Sequence, residues 1–169
     1  MVDLRAELKK RMHEDSGYLI TSYPLLYKKV IEELIKPFRN KRIDKIIAPE
    51  TKGLFYGPTI AYKLNKPFVA IFKSGRVPKR FVVSKKYKDY SRKVKSIDIG
   101  KITIKQGEKI LFIDDVFETG ESGKAAVELI KKLGGKIEGI SVVYNKMDGE
   151  EERFLKNFDF HYIVKMEKG

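Results

Sequence analysis

The residues here best suited to chemistry are two adjacent carboxylates, Asp114 and Asp115, followed closely by Glu118, Thr119, Gly120, Glu121, Ser122 and Gly123. They come directly after the apolar run Ile110-Leu111-Phe112-Ile113 and before a helical pattern. Neighbouring carboxylates at a strand end repel each other unless a cation or hydroxyl donors share them. The turn from Thr119 to Ser122 opens the helix, where successive backbone N–H groups and the helix dipole can cradle an anion. Gly120 permits close backbone approach, and the two hydroxyls add donors. Carboxylates that take ribose hydroxyls, beside a nest that takes a phosphate, describe a phosphorylated sugar. The plainer alternative is that Thr119 or Ser122 caps the helix while the acids are solvated.

A second strand end has similar ingredients. Ala48-Pro49-Glu50 leads into Thr51, Lys52 and Gly53, which place a hydroxyl, a cation and a glycine at a helix start and suit pyrophosphate. Thr51 could equally be an ordinary N-cap and Lys52 a solvated side chain. Between Lys73 and Lys95 the chain also carries Arg76, Lys79, Arg80, Lys85, Lys86, Lys88, Arg92 and Lys93, opposed only by Asp89. Such a run is either a solvated loop or a trap for a polyanion.

Two nucleotide motifs are excluded. Gly-Glu-Ser-Gly-Lys at 120–124 resembles the end of an ATP-binding P-loop, but Glu118 stands where its first glycine belongs. Ala125 removes the hydroxyl that would hold magnesium. The sequence has no G-x-G-x-x-G. It has no cysteine, and its two histidines, His13 and His161, are far apart, so thiol chemistry and an obvious zinc cluster are excluded.

The elements that must hold these residues follow from apolar spacing. Ile43 to Ala48 reads as a strand, and Gly57, Ile60, Ala61 and Leu64 line one face of a helix ended by Asn65. Pro67 to Phe72 is the next strand. Lys109 to Ile113, a helix carrying Ala126, Leu129, Ile130 and Leu133 that stops at Gly134-Gly135, and the strand Ile137 to Tyr144 repeat the unit. This alternation predicts an α/β fold, a single domain with a central mostly parallel sheet flanked by helices. Shorter strands at Phe81–Val83 and Ile97–Ile102 flank the lysine-rich stretch, an excursion that suits a mobile loop over a site. Leu4–Met12 and Leu25–Phe38 read as helices, and Phe160–Val164 as a last strand. In open parallel sheets ligands bind at the carboxyl ends of strands, where both phosphate-like segments lie.

With 169 residues, 42% of them apolar, the chain can bury one core. No apolar run approaches a membrane span, and the charged start does not resemble a signal peptide. A soluble cytoplasmic protein is expected. The net charge of +13 admits nucleic acid, a small polyanion or simple solubility as its reason, but no nucleic-acid motif is present.

Ile110 to Gly123 closely resembles the phosphoribosyl-pyrophosphate motif of type I phosphoribosyltransferases: apolar strand, two acids, two apolar residues, one variable residue, Thr-Gly and a small hydroxyl residue. Ala48 to Pro78 is similar to the adenine-specific members, through Glu50-Thr51-Lys52-Gly53-Leu54, Gly57-Pro58 and Phe72-Lys73-Ser74-Gly75-Arg76-Val77-Pro78. The resemblance implies that Asp114 and Asp115 hold the ribose hydroxyls and, through substrate or water, Mg2+. It implies that Glu118 to Ser122 wrap the 5-phosphate, that Thr51, Lys52 and Gly53 form the pyrophosphate loop, and that Lys73 and Arg76 add charge beside it. Residues 1–40 would form a hood with N-terminal helices, and residues 80–100 a flexible lid. Lys85, Lys86, Tyr87, Lys88, Arg92, Lys93 and Lys95 would be its candidate contacts.

The expected reaction transfers phosphoribosyl from phosphoribosyl pyrophosphate to a purine, with Glu118 acting on the base and Phe117 stacking on it, unless Phe117 is a core aromatic at the strand end. Adenine is the first expectation and hypoxanthine or guanine the second. In 6-oxopurine members an aspartate occupies the place of Glu118, whereas adenine members usually have alanine. Ile20 and Thr21 also depart from the adenine pattern. The resemblance further implies a homodimer, with no nucleic-acid or membrane partner. A regulator of the same fold that senses phosphoribosyl pyrophosphate without catalysis is the rival.

Overall fold

A computed structural model describes residues 3–89 and 91–167; Tyr90, in the expected lid, lies outside the described residues. Seven strands form one sheet: β1 (Lys45–Pro49), β2 (Phe68–Lys73), β3 (Val82–Lys88), β4 (Val94–Gly100), β5 (Lys109–Phe117), β6 (Lys136–Asn145) and β7 (Phe160–Lys165). Their spatial order is β3-β4-β2-β1-β5-β6-β7. The five strands from β2 to β7 in that order run parallel, while β4 is antiparallel to both β2 and β3. Among the described residues four α-helices accompany them, with short 3-10 segments between: α1 (Leu4–Asp15), α2 (Pro24–Ile35), α3 (Gly53–Leu64) and α4 (Glu121–Lys132). This is the single α/β domain that the apolar alternation predicts.

Strand side chains alternate between two layers, as the pleat requires. Ile46, Ala48, Leu111, Ile113 and Val143 join Val30, Leu34, Tyr56 and Ile60 in one buried cluster. Ile47, Ile110, Phe112, Ile140 and Val142 face the other, with Ala126, Leu129 and Ile130 of α4. Both faces of the central strands are therefore covered, which explains their unbroken apolar runs.

Gly57 lets α3 sit close to the sheet, because a Cβ there would lie 2.6 Å from Phe68 and 2.7 Å from Ala48. Gly57→Ala should push the helix outward and cost about 1–3 kcal/mol of stability, read as a lower denaturation midpoint.

The strand order turns at β1, whose neighbours are β2 on one side and β5 on the other. The carboxyl ends of β1 and β5 thus flank a crevice at the switch point. Two boundaries differ from the sequence reading there. β5 continues four residues past Ile113, through pairs Asp114↔Val142, Val116↔Tyr144 and Phe117↔Asn145 with β6. The acid pair therefore lies inside a strand, because β6 supplies backbone partners beyond the apolar run.

The lysine-rich stretch differs as well. It forms a hairpin in which Val82↔Gly100, Lys85↔Ile97 and Tyr87↔Lys95 are paired, so both strands run through what reads as loop. Val83, Lys85 and Tyr87 are half-buried while Ser84, Lys86 and Lys88 are exposed. The stem of Lys85 thus lies between Val83 and Tyr87 on the half-buried face, while Lys86 and Lys88 stand on the exposed one. Among the described residues no helix is long and apolar enough to cross a membrane.

Candidate active site

A cleft of about 230 Å³ opens at the carboxyl ends of β1 and β5, lined by Glu50, Thr51, Lys73, Asp114, Asp115 and Glu118 to Ser122, among others. The hairpin roofs it with Tyr87, Asp89, Lys95 and Ile97. The two phosphate-like segments and part of the basic run, separated in sequence by more than sixty residues, therefore share one cavity.

Asp114 and Asp115 are buried, with 6% and 8% of their surface exposed. The Asp115 N–H donates to Asp114 Oδ1 at 2.8 Å, and Lys52 Nζ lies 2.7 Å from Asp115 Oδ2. Burial, and after it the Asp115 carboxylate, pushes the Asp114 carboxyl well above its ordinary range, with Lys52 opposing. One ammonium facing two carboxylates leaves the pair short of donors. Lys52 also donates to the Ser16 carbonyl at 3.1 Å, which ties the N-terminal segment to the cleft. Tyr56 of α3 is buried nearby, and desolvation followed by the Asp115 charge pushes its phenol up, so it stays neutral.

The turn after β5 has the form of an anion nest. Gly120 is the N-cap of α4 at φ 73° with no side-chain cap, which leaves the hydroxyls of Thr119 and Ser122 to line the cleft. The helix-capping alternative for them is not realised. Thr51 likewise does not cap α3, whose N-cap is Lys52; its hydroxyl accepts from Lys73 Nζ at 3.4 Å. The Glu50–Thr51 peptide is cis. Glu50 accepts from the Lys73 N–H at 3.1 Å, which joins the ends of β1 and β2.

The model of the phosphoribosyl transferase domain matches residues 20–164. The chain belongs to the phosphoribosyltransferase family. It is 32% identical over 134 residues to an adenine phosphoribosyltransferase of Clostridium botulinum, covering 79% of this chain and 77% of that one. The solved APRTase of Giardia lamblia complexed with 9-deazaadenine superposes with a TM-score of 0.80 at 27% identity, covering 88% and 84% of the two chains. The Saccharomyces cerevisiae adenine phosphoribosyltransferase, complexed with an imino-altritol bisphosphate and adenine, gives 0.74 at 29% identity, covering 85% and 82%.

Within this phosphoribosyltransferase several side chains stand apart from their expected places. Phe117 is a correction. It is 1% exposed and stacked on Phe160 at 5.8 Å, so its ring belongs to the core and is closed to a base. It joins Phe112 in the layer packed on α4, whereas its neighbours Val116 and Glu118 line the cleft. Gly123 is buried under that ring, where a Cβ would lie 2.5 Å from Phe117 Cζ; it serves packing. Gly53 is held between Pro49 and Asp114, 2.8 and 3.2 Å from where a Cβ would be, so it brings α3 close to the acid pair. Arg76 lies 3.5 Å from Glu50, two-thirds exposed, outside the residues that line the cleft.

Among the candidate contacts of the hairpin, Tyr87 and Lys95 reach the cleft, whereas Lys85 pairs with Glu128 of α4 at 2.6 Å. Asp89, read only as a counter-charge, lies in the roof: it is 2.6 Å from Lys95 and accepts from the N–H groups of Ser91 and Lys93. A hydrogen bond from Lys95, with help from Ser91, holds its carboxyl down at about 2. Lys146 was not singled out by sequence reasoning. Its Nζ lies 3.4 Å from Glu118 Oε1 at the edge of the cleft, and the available signal was the run Asn145-Lys146-Met147 at the end of β6.

Proposed function

We propose that this chain is a purine phosphoribosyltransferase that moves the 5-phosphoribosyl group from phosphoribosyl pyrophosphate to a purine, adenine first, releasing pyrophosphate and the nucleoside monophosphate. One observation carries the reading: a buried carboxylate pair, answered by Lys52 alone, shares one cleft with a left-handed glycine nest, Thr51 and Lys73. Vicinal ribose hydroxyls would supply the missing donors. The backbone N–H groups of residues 119 to 122 would take the 5-phosphate, and Thr51, Lys52 and Lys73 the pyrophosphate.

Lys95 and Tyr87 close the roof over the leaving group and exclude water from the sugar carbon as its bond to pyrophosphate breaks. Lining by these residues aligns the base nitrogen with that carbon. The residues fit Mg2+ brought in with the sugar substrate, since two carboxylates answered by one lysine favour a divalent cation. Among the described residues no group of three acid or histidine ligands stands ready, so Asp114 and Asp115 would reach the ion through ribose hydroxyls or water. When bound, the ion supplies positive charge to the pyrophosphate oxygens. Family likeness supports a cytoplasmic homodimer acting on small molecules. Calorimetry with phosphoribosyl pyrophosphate and Mg2+ tests the site: saturable binding is expected, and its absence overturns the reading.

The Glu118–Lys146 pair favours a second reading, a 6-oxopurine base such as hypoxanthine or guanine. An ammonium donates to an exocyclic carbonyl, and a carboxylate accepts from a ring N–H, whereas adenine presents an amino group at that edge. On this reading Lys146→Ala lowers kcat/KM for hypoxanthine about 10²-fold and leaves adenine within about threefold. Equal loss with both bases would remove Lys146 from base selection.

A further inference from the structure

The phosphate nest is built against two side chains, Met147 and Phe154, that no part of the reaction uses. A Cβ on Gly120 would lie 2.5 Å from Met147 Sδ and 2.8 Å from Phe154 Cε1, so these two side chains press directly on the turn from behind. Met147 is fully buried. Phe154 packs on Phe117 at 6.2 Å, and Phe117 in turn lies under Gly123. The nest thus rests at both its glycines on one apolar buttress.

That buttress is itself fixed by polar contacts. Asn145, fully buried at the end of β6, accepts from the Met147 N–H at 2.9 Å and donates to Glu152 Oε1 at 2.9 Å. Lys165 of β7 reaches the same Glu152 oxygen at 2.5 Å and also donates to the Met147 carbonyl. A capping box between Asp148 and Glu151 starts the 3-10 turn that carries Phe154. The Lys146 N–H donates to the Phe117 carbonyl at 2.8 Å, which joins the segment to the end of β5. A fully buried amide whose oxygen and nitrogen both find partners fixes one geometry.

We propose that Met147, seated by Asn145 and backed by Phe154, is a positioning residue for recognition of the sugar phosphate. It sets where the Gly120 turn stands and so where its N–H groups point. The inference rests on the reading of that turn as the 5-phosphate nest. It predicts a division between the ends of the substrate: the buttress touches the α4 side and has no contact with Thr51, Lys52 or Lys73.

Calorimetry with ribose 5-phosphate and, separately, with pyrophosphate tests it on the full chain. Met147→Ala should weaken ribose 5-phosphate about tenfold, because displacement of a preorganised shell by a fraction of an ångström is enough. Pyrophosphate affinity should stay within about twofold, and Met147→Leu should restore the first ligand. Should Met147→Ala fail to fold, the half-buried Phe154→Ala carries the same comparison. Unchanged ribose 5-phosphate affinity, or equal loss of both ligands, overturns the proposal. Failure of the unmodified protein to bind ribose 5-phosphate would instead overturn the assignment of the nest.

Discussion

Replacing both members of the acid pair, Asp114→Asn with Asp115→Asn, is expected to abolish binding of phosphoribosyl pyrophosphate and to lower kcat/KM by more than about 10²-fold. The carboxylates are the acceptors available for the ribose hydroxyls, and amides of the same shape keep the packing while removing the charge. Sugar affinity that survives the double change would mean the site lies elsewhere.

Stability should move in the opposite direction for Asp114. Its carboxyl is pushed above the ordinary value of 3.8, chiefly by burial, so the folded state holds a proton that the unfolded chain releases. The resulting penalty is absent below about pH 4, grows as pH rises toward the folded value, and is complete above it. Asp114→Asn should therefore melt above the unmodified protein at pH 7 and converge with it in acid. Thermal melts across that range check the sign, and a lower melting point at pH 7 would contradict it. A site whose ligand-free form is strained by its own function behaves in this way.

The second large effect is expected at Gly120. Alanine there must adopt φ 73°, which costs about 1–2 kcal/mol for a residue with a Cβ. That Cβ would also meet Met147 and Phe154 at 2.5 and 2.8 Å. The turn would have to swing toward the cleft, displacing the N–H groups that face the phosphate. Gly120→Ala should lower kcat/KM about 10²-fold and weaken ribose 5-phosphate, with a smaller effect on pyrophosphate. Far-ultraviolet circular dichroism should be unchanged, since α4 begins after this residue. Full activity would show that the nest does not hold the phosphate.

These expectations depend on features that were unequally legible in the sequence. Ile46, Ile47, Leu111 and Phe112 announce buried parallel strands because both sheet faces are covered, and the Thr119-Gly120 turn announces a nest because hydroxyl, glycine and helix start coincide. The acids are legible by type, yet their position inside β5 depends on pairing with β6, a long-range contact that leaves no local pattern. Phe117 enters the core for the same reason: its place is set by the end of β5, where it pairs with Asn145 of β6. The hairpin is obscured because Lys85 interrupts its half-buried face and the exposed one is mostly lysine. Lys146 and Met147 follow a different strand altogether. Their nearness to Glu118 and Gly120 arises because β5 and β6 are neighbours in the sheet.

The central claim is turnover with a purine, and release of pyrophosphate from phosphoribosyl pyrophosphate measures it directly. The assay supplies adenine, hypoxanthine, guanine, xanthine and orotate in turn, with Mg2+ present. Release that depends on a purine, and not on orotate, is the predicted result. Tight binding of phosphoribosyl pyrophosphate without release for any of the five would contradict it and leave a sensor of that sugar on the same fold.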